Sequence, residues 1–278
     1  VLDVNEAPTG VFLSKGSIVE GNAVGAVVGA LSTTDADAGD TFTYTLVSGE
    51  GSADNASFMI HGAEIRAAAT FDYATKASYS IRVRSTDSGG LTTETVLAIR
   101  VGRDLAGQDL TGQTFAWFDM RGASFIGAML RGGNLRACDL RGADFTNADL
   151  RGVEFRDTNL SGATLTGAVF TGSRYTSGTV WPAGFDPTTK GMWGPGGDYS
   201  GQDLTGQNFA WFDMRDTSFV GTTLRDGDLR ACDLGGADFT NADLRNVEFR
   251  DANLSGATLT GAVFTGSRYT SGTVWPAG

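Results

Sequence analysis

The chain has 278 residues, enough for two or three domains, and its 21 Lys plus Arg against 32 Asp plus Glu leave a net charge of −11. That balance excludes non-specific nucleic-acid binding, which needs a basic surface, and no apolar run approaches the roughly 18 residues of a membrane-spanning helix. Two cysteines and one histidine are too few for a disulfide framework or a Cys/His metal site, and 40 glycines without a Gly-X-Y period belong to turns rather than to collagen.

Residues 1–101 read as short strands separated by turns: GVFLSK, AVVGALS, TFTYTLV, SFMI, YSIRVRS and TVLAIRV. Ile81 and Val83 alternate with Arg82 and Arg84, and Leu97, Ile99 and Val101 follow the same period of two, so about seven strands predict a β-sandwich. Acidic residues gather at the turns, in DVNEAP (3–8), VEGN (19–22), DADAGD (35–40), FDY (71–73) and STDSGG (85–90). The segment holds 12 acidic against 6 basic groups.

In that order these motifs resemble the calcium motifs of cadherin repeats, and the resemblance covers about 1–101. It implies a Ca2+ cofactor. Asn5, Asp35, Asp37 and Asp87, with backbone carbonyls near Ala7 and Asp40, would close one site, because calcium takes six to eight oxygens from carboxylates and carbonyls. Asp3 and Glu6 correspond to sites shared with a preceding repeat. At the opposite end Glu20 and Asp72 match, but Ala74 replaces a second acid and no DxNxxxP linker follows Val101. No full calcium cluster is expected there.

Beyond residue 101 two nested periods govern the chain. Residues 104–184 and 198–278 align at an offset of 94 with 68 of 81 positions identical. Within each unit every fifth residue is large and apolar, from Leu105 to Phe170 and from Tyr199 to Phe264. Two residues earlier stands a small one, as at Ala123, Ala128, Gly133, Cys138, Ala143 and Ala148. A period of five fits neither a helix nor a flat strand. Five residues per side, two of them inward, describe a four-sided coil. The runs ADFTN, ADLRG, CDLRG, TNLSG and ATLTG resemble the pentapeptide-repeat family over about 104–172 and 198–266. The resemblance implies right-handed quadrilateral β-helices of about 20 residues per coil, stacked at ~4.8 Å. Residues 20 apart then share a column, so Phe125 lies on Phe145, and Arg121 and Arg141 alternate with Asp119 and Asp139. Cys138 and Cys232 are equivalent residues of separate units and are expected to be free, buried thiols.

The repeat breaks in two places. Phe118 and Phe212, preceded by Trp117 and Trp211, fill the small slot, either capping the coil or forming an exposed patch for self-association or ligand stacking. The pattern then stops at SRYTSGTVWPAG in both units, where Tyr175, Val180, Trp181 and the equivalent Trp275 suit an edge-covering cap. The expected division is a cadherin-like sandwich at 1–101, a solenoid with its cap at 102–184, a Gly/Pro linker at 185–197 and a second capped solenoid at 198–278. Both ends cut through repeating architecture, so the chain reads as one segment of a longer assembly. The expected role is non-catalytic: a bacterial extracellular or cell-surface structural protein, calcium-stiffened, adhesive and self-associating as a fibre, stalk or coat. The alternatives are a glycan- or protein-binding surface module and a DNA-mimic inhibitor of a topoisomerase. The latter needs a continuous acidic face, whereas residues 102–197 carry 9 basic and 9 acidic groups.

Overall fold

A computed structural model of the protein describes residues 4–277, and within them the fold is all-β with two short 3-10 turns at Asn55–Ser57 and Pro187–Lys190. Eight strands form the N-terminal unit: β1 Gly10–Leu13, β2 Ser17–Val19, β3 Val27–Thr34, β4 Thr43–Leu46, β5 Phe58–His61, β6 Glu64–Ala67, β7 Ser78–Thr86 and β8 Thr92–Gly102. They make two four-stranded sheets, ordered β1-β3-β6-β5 and β2-β8-β7-β4. All pairings are antiparallel except β2 with β8, which runs parallel from Ser17↔Arg100 to Val19↔Gly102. The period-two reading explains the layering. Ile81, Val83, Ile99 and Val101 face a shared core with Val28, Ile65 and Phe71, all nearly inaccessible. Arg82 and Arg84 point outward and both bind Glu94 on β8.

From residue 104 the backbone winds in coils of 20 residues, joined by parallel bridges such as Asp104↔Ser124↔Asp144↔Thr164. Four such columns run through each unit, one per side. The centre of every side faces inward: Leu130, Leu135, Leu140, Phe145, Leu150 and Phe155 are fully buried. Phe125 lies on Phe145 at 4.6 Å and 3°, and Phe219 on Phe239 at 4.9 Å and 6°, as columns 20 residues apart require. Each buried ring contributes roughly 1.5–3 kcal/mol of transfer free energy. Hydroxyls and thiols in the small slot are satisfied by carbonyls of the preceding coil. Thr158 Oγ1 donates to the Leu135 carbonyl at 2.6 Å and Cys138 Sγ to that of Phe115 at 3.1 Å. Cys138 therefore does in its coil what Thr158 does in the next. The side walls alternate in charge: Asp139 pairs with Arg141 at 2.6 Å, and Asp149 binds Arg151 at 2.6 Å and Arg131 at 2.5 Å.

The two units meet through the segment expected to be a linker, and that segment is packed. Met192 is 1% exposed in the first solenoid's core, Trp193 pairs with Arg174 as a further rung, and its ring packs on Tyr199 and Phe209 of the second solenoid. Tyr175 donates to the Pro195 carbonyl at 2.7 Å, and Ser177 N–H to Asp213 at 3.1 Å. Gly and Pro here allow a close turn between two rods rather than a flexible tether.

The N-terminal unit is seated on the first coil by glycines. A Cβ on Gly102 would meet the Gly122 carbonyl oxygen at 2.1 Å, and one on Gly122 would meet Ser17 Cβ at 2.6 Å. In the second solenoid the position of Gly122 is held by Asp216, which has no sandwich to accommodate and lays its carboxylate over Gly236.

Candidate functional site

The acidic loops converge at the end of the N-terminal unit remote from the solenoid. Asp35 follows β3 and Asp87 follows β7, strands of opposite sheets. Thr33 and Ser85, one step inside, draw those strand ends together through a 2.9 Å hydroxyl contact. The ligand oxygens of Asp35, Asp40 and Asp87 then lie within 4.8 Å of one another. Asp87 is 6% exposed and accepts the Leu91 N–H at 2.8 Å and the Asn5 amide at 3.2 Å. Asn5 in turn fits against Gly89, where a Cβ would lie 2.4 Å from its amide.

The decisive detail is polar accounting. Asp35 Oδ2 and Asp40 Oδ2 are both buried with no hydrogen-bond partner. Buried polar atoms are nearly always paired, and a buried carboxylate oxygen without a donor is costly. Two such atoms beside a third carboxylate form an acidic cluster able to coordinate a metal ion. Its donors are all oxygen, the set that suits a hard divalent cation rather than zinc or copper. A hard divalent cation fits these residues: Asp35, Asp40 and Asp87 would hold it, and it would neutralise three converging charges and tie the two sheets together.

Asp40 brings its carboxylate into the cluster. Asp37 stands outside the three-carboxylate cluster: its Oδ2 accepts the Glu6 N–H at 2.8 Å while its own N–H binds Asp35 Oδ1 at 3.2 Å, so it fastens the 4–8 segment to the loop. Asp3 lies outside the described residues. At the solenoid end, Glu20 serves as a strut, accepting N–H groups from Tyr73 and Asp104, both at 3.1 Å. Arg103 adds a cation–π contact 5.0 Å from the Tyr73 ring.

The six aromatic positions divide. Trp117 and Trp211 sit at coil corners with φ 69 and 68 and are 74% and 72% exposed. Phe212 is 9% exposed beneath Arg174, 4.3 Å from its ring, whereas Phe118 is half exposed. Phe212 is thus covered, whereas Trp117 and Trp211 stand open. Trp181 packs among Phe155, Tyr175 and Phe185, while its counterpart Trp275 is 38% exposed. Sequence reasoning missed Phe185, Met192 and Trp193 as covering residues because they follow the repeat.

Among the described residues no nucleophile is assembled with a base. His61 is exposed on β5, and both cysteines are buried and free. Burial pushes the Cys138 thiol up to about 11 and raises that of Cys232 further, so neither supplies a thiolate at neutral pH. Among the described residues no helix is long and apolar enough to cross a membrane.

A four-sided ladder with a 20-residue repeat and an apolar centre every fifth residue defines a β-helical repeat protein. Residues 134–172 and 228–266 match the family model for pentapeptide repeats, in 8 copies, so the chain carries a pentapeptide-repeat region. No curated protein matches the chain. Among solved structures it is similar to full-length QnrB1, a plasmid-mediated fluoroquinolone resistance protein, at 22% identity over 61% of this chain and 81% of that one, TM-score 0.26. HetL, a pentapeptide repeat protein involved in heterocyst differentiation regulation from the cyanobacterium Nostoc sp. strain PCC 7120, matches at 25% identity over 60% and 79%, TM-score 0.23. Extracellular cadherin domains 3–6 of protocadherin gamma B2 match at 22% identity over 36% of this chain and 26% of that one, TM-score 0.30. TM-scores this low define no shared fold, and the pentapeptide assignment rests on the family match and the ladder.

Proposed function

We propose that the protein is a non-catalytic binding module: a cadherin-like, calcium-binding unit held rigidly on a pentapeptide-repeat scaffold, displaying its surfaces to a protein or glycan partner outside the cell. The observation that carries the calcium-binding part is the pair of buried, partnerless carboxylate oxygens of Asp35 and Asp40 beside Asp87. The glycine seat and the packed 185–197 segment support the scaffold part, since both joints are close-packed. Alternating Asp–Arg walls speak against DNA mimicry, which needs an unbroken acidic face.

Calorimetric titration with calcium tests the site. One site is expected, lost in Asp35→Asn and Asp87→Asn. Calcium at a hundred times its Kd stabilises by about 2.7 kcal/mol, a rise of very roughly 10–20 °C for a unit of this size. Absence of binding heat together with an unchanged melting temperature refutes the reading.

A self-associating fibre is the second reading. It is favoured by Trp117 and Trp211, equivalent residues of the two solenoids that are 74% and 72% exposed. Sedimentation velocity decides: concentration-dependent growth that stops in Trp117→Ser with Trp211→Ser supports it, and a single monomeric boundary at high concentration removes it.

A further inference from the structure

We propose that the cleft between the N-terminal unit and the first solenoid binds an acidic saccharide. The cleft, of about 520 Å³, receives Lys15 and Arg100 from the N-terminal unit and Arg121 and Arg141 from the solenoid wall. In a chain of net charge −11, four cations converging from two separately folded parts are a local reversal of sign. Their engagement differs. Arg121 is held by Asp119 and lies 3.4 Å from Asp139, and Arg141 binds Asp139 at 2.6 Å. Among the described residues neither Lys15 nor Arg100 makes a direct ion pair; Arg100 only helps, at longer range, to hold the Asp119 carboxyl down, and both can face a ligand.

The second solenoid is an internal control. It shares 68 of 81 positions with the first but has no sandwich beside it. Two of the thirteen differences fall on residues lining this cleft: Gly122 becomes Asp216 and Arg141 becomes Gly235. Both make the cleft-facing copy more positive, by two charges together. The seat explains Gly122 sterically. Nothing in the seat requires Arg141, whose equivalent is dispensable to a coil of the same shape.

The rest of the lining selects the ligand class. Ser17, Ser161 and Thr164 supply hydroxyls, Asp144 supplies one acceptor, and no aromatic side chain lines the cleft. A nucleobase finds no stacking surface. A polyhydroxylated ring with a carboxylate finds donors and acceptors for its hydroxyls and cations for its charge. This inference rests on the reading of the chain as a binding module and deepens it. The calcium cluster lies at the other end of the N-terminal unit, so the two fail independently.

The test is calorimetric titration of the full chain with trigalacturonate and with neutral maltotriose. It is run in calcium-free buffer, so that calcium cannot bridge the sugar to the protein, with the fold checked by circular dichroism. Trigalacturonate is expected to bind and maltotriose not. Arg141→Gly, a residue the second solenoid already tolerates, and the pair Lys15→Gln with Arg100→Gln are each expected to weaken binding about tenfold or more, the effect of one charge-assisted hydrogen bond. Arg230→Ala, on the second solenoid, is expected to change nothing. Equal binding of maltotriose, equal competition by inorganic sulfate, or unaltered affinity in the cleft variants overturns the proposal.

Discussion

The seat of the N-terminal unit on the first coil can be weighed with a single methyl group. In Gly122→Ala two costs arise. The residue sits at φ 67, and an alanine in the left-handed region costs about 1–2 kcal/mol. Its Cβ would also stand 2.6 Å from Ser17 Cβ and 2.7 Å from Ser17 Oγ, and such overpacking costs about 1–3 kcal/mol. The total is about 2–5 kcal/mol, from these two costs together. Ser17→Gly removes both offending atoms. In that background Gly122→Ala should cost only the backbone part, about 1–2 kcal/mol. The double-mutant cycle should therefore return a coupling of about 1–3 kcal/mol. Scanning calorimetry is the assay, because all five tryptophans lie beyond residue 116 and fluorescence does not see the N-terminal unit. A coupling below about 0.5 kcal/mol would mean that the two changes act independently and that the glycine contact is not the seat. Asp216→Gly, the reciprocal exchange in the second solenoid, relieves a left-handed aspartate (φ 56) and should be neutral to stabilising.

Arg151 and then Arg131 hold the Asp149 carboxyl well below the usual carboxylate range. A depressed folded pKa gives stability that is present above the unfolded value of about 3.9 and fades as pH falls below it. Asp149→Asn should therefore be less stable than wild type at pH 6, with the gap closing below about pH 4; a gap that does not change with pH, in urea titrations, would assign the loss to packing alone. Cys138 and Cys232 should resist thiol reagents in the folded protein at pH 8 and give two equivalents after unfolding; rapid native labelling would contradict their burial.

The sequence is unusually explicit about the solenoids because every coil repeats one local rule. The five-residue period places Leu130 or Phe145 inside whatever the neighbours are, and columns follow from adding 20. Strand alternation likewise exposes the core of the N-terminal unit through Ile81, Val83 and Ile99. Legibility ends where non-repeating pieces meet. Met192 and Trp193 look like linker residues because their partners, Tyr175 and Tyr199, lie in units on either side. The acidic loops announce a cation site through composition, yet only the folded strand ends show that Asp40 turns its carboxylate inward and that Asp37 turns toward the Glu6 amide. The seat was written in the thirteen differences, since a glycine that is aspartate in the twin marks a place where something else stands.

The coil ladder has a mechanical corollary. The bonds joining successive coils, such as Leu130 N–H to the Asp149 carbonyl at 2.8 Å and Phe145 N–H to that of Thr164 at 2.8 Å, connect one layer to the next. Tension pulling the layers apart loads them coil by coil, as in peeling tape, while β7 and β8, paired over nine residues, meet a pull along their strands in shear. The solenoids should then yield at lower force than the N-terminal unit. Each 20-residue coil would pay out about 70 Å of chain. A molecule of this construction stretches by steps at its scaffold while the unit that carries the acidic cluster stays folded.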